Sequence, residues 1–157
     1  AIADTEKNIT WIKEKFQVLI RQPANKLQVF NKNSLELSKF IKPNSIDTIV
    51  TEPYLGPQRG KHDIRKTIKE LENLYSKALL EFYKILKSNG RIAMVWPVFH
   101  ATCSTQYITP DLGGLKIINP IPEYLRSNKI IRLTERNAII YGREGQKIWR
   151  EIVVLEK

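Results

Sequence analysis

The six residues Thr51-Glu52-Pro53-Tyr54-Leu55-Gly56 set a carboxylate, a proline and a ring directly after a β-branched run, Ser45 to Val50. An acidic residue, a proline and an aromatic side chain in this order suit one task, holding a planar base by its face and its exocyclic amine. The Glu52 carboxylate and the Pro53 carbonyl can accept the two amine hydrogens while Tyr54 stacks on the ring. Proline fixes φ near −65°, so acceptors beside it need little reorganisation. A second constellation, His100 with Cys103, has dyad spacing. No orienting pattern surrounds that pair, and a structural role at a strand end is the stronger reading.

The elements that must position the first group follow from periodicity. Ser45 to Val50 has too little polar alternation for a one-sided sheet and reads as a central strand covered on both faces. A long amphipathic helix follows, with Ile64, Ile68, Leu71, Tyr75, Ala78, Phe82 and Ile85 on one stripe and a stop at Ser88-Asn89-Gly90. Arg91 to Trp96 is a further buried strand, halted by Pro97. Upstream, Ile9, Ile12, Phe16 and Leu19 mark an amphipathic helix over residues 3 to 20. Leu27 to Asn31 reads as a short strand, and a helical turn runs through Leu37 and Phe40. Strands alternating with helices imply an α/β fold with a parallel sheet, whose ligands meet the carboxyl ends of the strands. Glu52, Pro53 and Tyr54 lie at such an end, as do Asn33, Ser34, Pro97 and His100. Residues 101 to 127 read as a long irregular insertion with a short helix near Tyr124 to Arg126. Asn137 to Gly142 and Lys147 to Lys157 form an antiparallel hairpin around Gly145.

Composition bounds the partners. The 157 residues, 42% of them apolar, suffice for one domain with a core. The 26 Lys and Arg against 16 Asp and Glu leave a formal +10, which favours a polyanion, nucleic acid first. One cysteine excludes an internal disulfide framework, and with two histidines no structural metal is expected. No apolar run approaches the ~18 residues of a membrane span, so no membrane partner and a cytoplasmic location are the expectation.

The stretch IDTIVTEPYLGP resembles the fourth motif of the Asp/Asn-Pro-Pro-Tyr class of S-adenosylmethionine-dependent amino-methyltransferases. Within that class it is most similar to the RNA methylase branch that includes tRNA guanine-N2 methyltransferases acting at position ten. The branch commonly has Thr-Asp-Pro-Pro-Tyr-Gly, so Glu52 replaces Asp and a single proline precedes the ring. Two registers fit. Aligned by the strand, Glu52 takes the acidic place and Leu55 that of the ring; aligned by the Pro-Tyr pair, Thr51 takes the acidic place. The first is preferred because a carboxylate accepts from an amine without presenting a donor. FNKNSLEL is similar to the third motif, LYSKALLEFYKILKSNGRIAMVWP to the helix and strand after the catalytic loop, and IIYGREGQKIWREIVVLEK to the closing hairpin.

The resemblance implies a Rossmann-like methyltransferase sheet of order 3-2-1-4-5-7-6, with helices on both faces and a C-terminal antiparallel hairpin. Its Gly-rich first motif and first two strands would lie before Ala1, making this chain, 1–157, an amino-terminally truncated catalytic domain. The cofactor implied is S-adenosyl-L-methionine, met by Asn33, Ser34 and Thr51. Glu52, Pro53 and Tyr54 would be catalytic, and Leu55, Gly56, Arg59 and Lys61 would meet the substrate. The partner implied is tRNA, with an amino-terminal RNA-binding domain or a small activating subunit. Two alternatives stay open, an adenine or cytosine amino-methyltransferase of DNA and a non-catalytic nucleic-acid-binding domain. Arg59, Lys61, Arg65 and Lys66 suit phosphates or a solvated helix start equally. Arg143 and Arg150 are further basic candidates, although Arg150 could simply pair with its neighbour Glu151. Trp11, Trp96 and Trp149 read as packing residues, and Asp63 as a helix cap.

Overall fold

A computed structural model of the chain describes residues 2–16, 28–57, 60, 62–101 and 104–157, excepting the Ala101 side chain. Two compact units divide at Asn33 and Ser34. In the first, α1 spans Ile2–Lys15, with Asp4 in the first turn and Lys13 and Lys15 in the last, matching the helix dipole at both ends. Trp11 is 53% exposed and meets Phe16 edge to face at 5.7 Å, so it is not the core residue expected. The continuation of this helix beyond residue 16 lies outside the described residues. The expected strand from Leu27 to Asn31 is not formed over 28–31, which are exposed. A strand exists by pairing its N–H and C=O groups, and among the described residues no partner strand adjoins these.

In the second unit, Ser34–Lys39 is a 3-10 segment, β1 is Ile46–Thr51 and α2 is Ile64–Ile85. They are followed by β2, Leu86–Ala101, β3, Ser104–Tyr107, and β4, Lys116–Ile118. After a 3-10 turn at Glu123–Leu125 come β5, Ile139–Tyr141, and β6, Ile148–Glu156. β1 and β2 are parallel and joined by α2, a βαβ unit. β6 lies antiparallel beside β2, and β5 and β4 flank β6 on its far side. The fold is α/β. The order β1-β2-β6-β5 reproduces the 4-5-7-6 half of the expected order, and the C-terminal hairpin forms as read, pairing Ile139 with Ile152 and Tyr141 with Arg150.

Three expectations are corrected. β1 is an edge strand among the described residues rather than a central one, and Val50 is 79% exposed. Sequence shows that a strand is apolar, but its neighbours decide what covers it. The helix stop at Ser88-Asn89-Gly90 is not used. α2 ends at Ile85, Leu86 is already extended, and Asn89 rather than Gly90 takes positive φ, at 62°. Of the last helical carbonyls, that of Tyr83 accepts from Lys157 Nζ at 2.7 Å, and those of Lys84 and Ile85 accept from the Asn44 and Ser45 N–H groups at 3.2 and 2.9 Å. The residues between Leu86 and Arg91 are absorbed by a register shift against β1. Finally, Pro97 does not halt β2. His100 donates to Lys147 across an unbroken register, so even-numbered residues of β2 donate to β6. The Pro97 nitrogen therefore faces the other side, between the end of β1 pairing at Met94 and the start of β3 pairing at Val98, where no donor is needed.

The core lies between α2 and one face of the sheet. Leu71, Tyr75, Leu79 and Phe82 of the helix meet Ile92, Met94 and Trp96 of β2 and Val153 and Leu155 of β6. Burying such side chains contributes roughly 1.5–3 kcal/mol each. The 3-10 segment is tied to α2 by Glu81, whose Oε2 accepts from the Ser38 N–H at 2.9 Å and hydroxyl at 2.7 Å, while Oε1 accepts from Lys84 at 2.6 Å. The Lys84 ammonium foremost, then Ser38, hold this carboxyl down to about 2 against the opposing effect of burial. A depressed acid stabilises fully above its ordinary value near 4.5 and loses that contribution as pH falls through about 2. Glu81→Gln should therefore lower stability at neutral pH by about 1–2 kcal/mol, after screening at half-exposed Lys84. Urea unfolding of the two proteins should converge between pH 4 and pH 2; a pH-independent difference would contradict the linkage.

Candidate functional site

Parallel pairing of β1 with β2 carries Thr51, opposite Met94, to the carboxyl end of β1. The chain leaves the sheet there as the loop Glu52 to Pro57 and reaches α2, whose N-cap Asp63 accepts from the Lys66 N–H at 3.2 Å, as expected of a cap. Two interactions hold the loop. The Tyr75 hydroxyl, on the buried face of α2, donates to the Tyr54 carbonyl at 2.8 Å. Burial, and then the Glu52 carboxylate, push that hydroxyl well above its ordinary pKa, so it remains a donor throughout the physiological range. On the other side, Arg150 Nε of β6 donates to Glu52 Oε1 at 2.9 Å.

The Arg150 contact overturns the neighbour pairing with Glu151. Successive strand residues point to opposite faces, so Arg150 reaches Glu52 while Glu151 is fully buried and pairs with Arg136. Glu151 Oε1 accepts from Arg136 Nε at 2.9 Å and from the Thr134 hydroxyl at 2.7 Å, and Arg136 Nη2 donates to Oε2. Arg136 Nη1 reaches the Ile108 carbonyl at 2.8 Å, and its guanidinium lies 4.8 Å from the Trp96 ring centre. No sequence signal singled out Arg136, because its partners are 15 and 28 residues away.

The loop residues divide by exposure. Tyr54 is 62% exposed and its ring lines a cleft of about 560 Å³ with Pro57, His62, Lys66 and Glu70. Leu55 is 5% exposed, so its side chain anchors the loop in the core instead of reaching a substrate. Of the two residues that the registers put in the place of the ring, Leu55 and Tyr54, Tyr54 is the aromatic one and is open to stacking. Gly56 has φ +95°, and a Cβ there would come within 3.2 Å of Thr67 Cγ2, so it serves the close passage of the loop over α2. Arg59, Lys61 and Cys103 lie outside the described residues. Asn33 ends the first unit and Ser34 opens the second, and both are exposed.

A second cleft, about 510 Å³, adjoins the first through Pro57, His62 and Thr67 and extends to His100, Gln146 and Lys147. His100 packs against Trp149 at 4.3 Å between ring centres and contacts the Thr105 hydroxyl at 3.3 Å. Trp149 in turn covers Gly142 so closely that a methyl group there would collide with the indole, which explains the glycine at the end of β5. No helix of the described residues is long and apolar enough to cross a membrane.

No protein-family model and no curated protein matches the chain. Among solved structures it is similar to TrmN from Thermus thermophilus, at 18% identity and a TM-score of 0.46 over 97% of this chain. It is likewise similar to a candidate DNA modification methylase, also from Thermus thermophilus, at 16% identity and a TM-score of 0.47 over 80% of this chain. The chain spans 34% of the first of these proteins and 52% of the second.

Proposed function

We propose that this chain contributes the substrate-amine half of an S-adenosylmethionine-dependent N-methyltransferase active site, acting on an exocyclic base amine, with guanine N2 of tRNA as the leading target. The observation that carries the reading is the loop Glu52-Pro53-Tyr54 at the carboxyl end of β1. There an exposed ring and a half-exposed carboxylate sit together where a parallel sheet presents ligands. The β1-β2-β6-β5 order supports it.

In this reading Glu52 and the Pro53 carbonyl accept the amine hydrogens, and Tyr54 stacks on the base. The amine nitrogen is left with its lone pair directed away from both acceptors. Tyr75 and Arg150 brace the loop from opposite sides, so the acceptors are set before the substrate arrives. The bound cofactor supplies an electrophilic sulfonium methyl. Of this chain's residues, Thr51 at the strand end and exposed Ser34, with Asn33 preceding it, are of the polar kind that meets adenine.

The test is transfer of labelled methyl from S-adenosylmethionine to tRNA transcripts and, separately, to DNA, by the product of the whole coding sequence. Label in N2-methylguanine of tRNA is expected. Label in DNA alone would move the substrate to adenine or cytosine, and nucleic-acid binding without transfer to either would favour a binding domain.

A further inference from the structure

A third cleft, about 580 Å³, opens at the turn between β5 and β6 and is lined by Tyr141, Arg143, Glu144, Gly145, Gln146 and Arg150. It belongs to the face of the hairpin opposite Trp149, because Tyr141 and Arg150 are direct cross-strand partners and so share one face. Tyr141 is 50% exposed, so its ring is accessible at the cleft. Arg143 is exposed, and among the described residues its guanidinium makes no ion pair, while its N–H is held by Gln146 Oε1 at 3.2 Å. The turn is thus fixed, and its cation is left available.

Arg150 belongs to this cleft and to the Glu52 contact at once. We infer that the hairpin cleft is a subsite for the nucleotide flanking the target base in single-stranded nucleic acid, with Tyr141 stacking on the flanking base and Arg143 meeting its phosphate. Arg150 is already paired with Glu52, so Arg143 is the cation that the cleft offers to a phosphate. A free ring beside a free guanidinium is the combination that binds a single strand without sequence preference. Arg150 has a different part. It is a positioning residue that ties the subsite to the carboxylate receiving the amine, so filling the cleft and orienting Glu52 use the same side chain.

This inference rests on the proposed reading for the word "target" but not for binding itself, so the two can fail separately. Binding of fluorescein-labelled single-stranded RNA and DNA decamers is measured by anisotropy, with methyl transfer measured in parallel. Tyr141→Ala should weaken binding of the oligonucleotide at least tenfold, and Tyr141→Phe should restore it, since the ring and not the hydroxyl does the stacking. Arg143→Ala should weaken binding and lower the slope of log Kd against log salt by about 1, and Arg143→Lys should largely keep both. Where transfer occurs, KM for the polymer should rise with kcat little changed. Wild-type binding in Tyr141→Ala and Arg143→Ala would overturn the subsite, whatever the methylation result. Loss of binding in both, in a protein that transfers no methyl, would leave the subsite standing and remove the reaction.

Discussion

Arg136→Ala is expected to destabilise the protein by about 3–5 kcal/mol and to lower its melting temperature by roughly 10 °C or more. Glu151 is 0% exposed, on the central antiparallel strand, and two of its acceptor contacts come from the Arg136 guanidinium. Removing the cation leaves a buried carboxylate with only the Thr134 hydroxyl, frees the Ile108 carbonyl, and strips a planar cation from Trp96. Each loss acts on a desolvated group, where an unpaired charge costs far more than the pair contributes when intact. The double variant Arg136→Met with Glu151→Met should recover most of the loss, since no unpaired charge is left buried and only the neutral Ile108 carbonyl and Thr134 hydroxyl lose a partner. Thermal and urea unfolding of the single and double variants decide it. If Arg136→Ala unfolds within about 1 kcal/mol of wild type, the buried pair does not hold in solution.

Glu52→Gln is expected to reduce methyl transfer by about two orders of magnitude, and Tyr54→Ala by at least one, with little loss of fold. Glutamine keeps one acceptor oxygen but replaces the other with an NH2 that opposes both the amine hydrogens and Arg150 Nε. Both side chains are about half or more exposed, so neither substitution opens a core cavity. Single-turnover rates at saturating cofactor, compared with melting temperatures, separate a chemical defect from a folding one. Wild-type rates in both variants would remove these residues from the site, whereas equal losses of rate and stability would make them structural.

How much could be read in advance follows element by element. The α2 stripe was legible because a 3.6-residue period over 22 residues is a local signal. The hairpin was legible from its turn glycine and its change of period. β1 was legible as a strand but not as an edge, and Pro97 looked like a stop because one sequence cannot tell which side of a strand lacks a neighbour. The two short strands β3 and β4 were hidden in what read as an irregular insertion. Each has four residues or fewer and is stabilised by pairing with a partner already in the sheet.

At the site, the sequence by itself determined the residue types. A carboxylate, a proline and a ring follow a strand, and Gly56 lets the chain turn over the next helix. Only the tertiary structure decided which groups are presented and which are committed. Tyr54 faces solvent while Leu55 is buried, Tyr75 grips the loop from 21 residues away, and Arg150 reaches Glu52 across 98 residues. Local pattern determines which way a backbone runs, because propensity and period act over a few residues. Ion pairs, exposure and clefts depend on which elements end up adjacent, and the packing of α2 and β6 around β2 decides that.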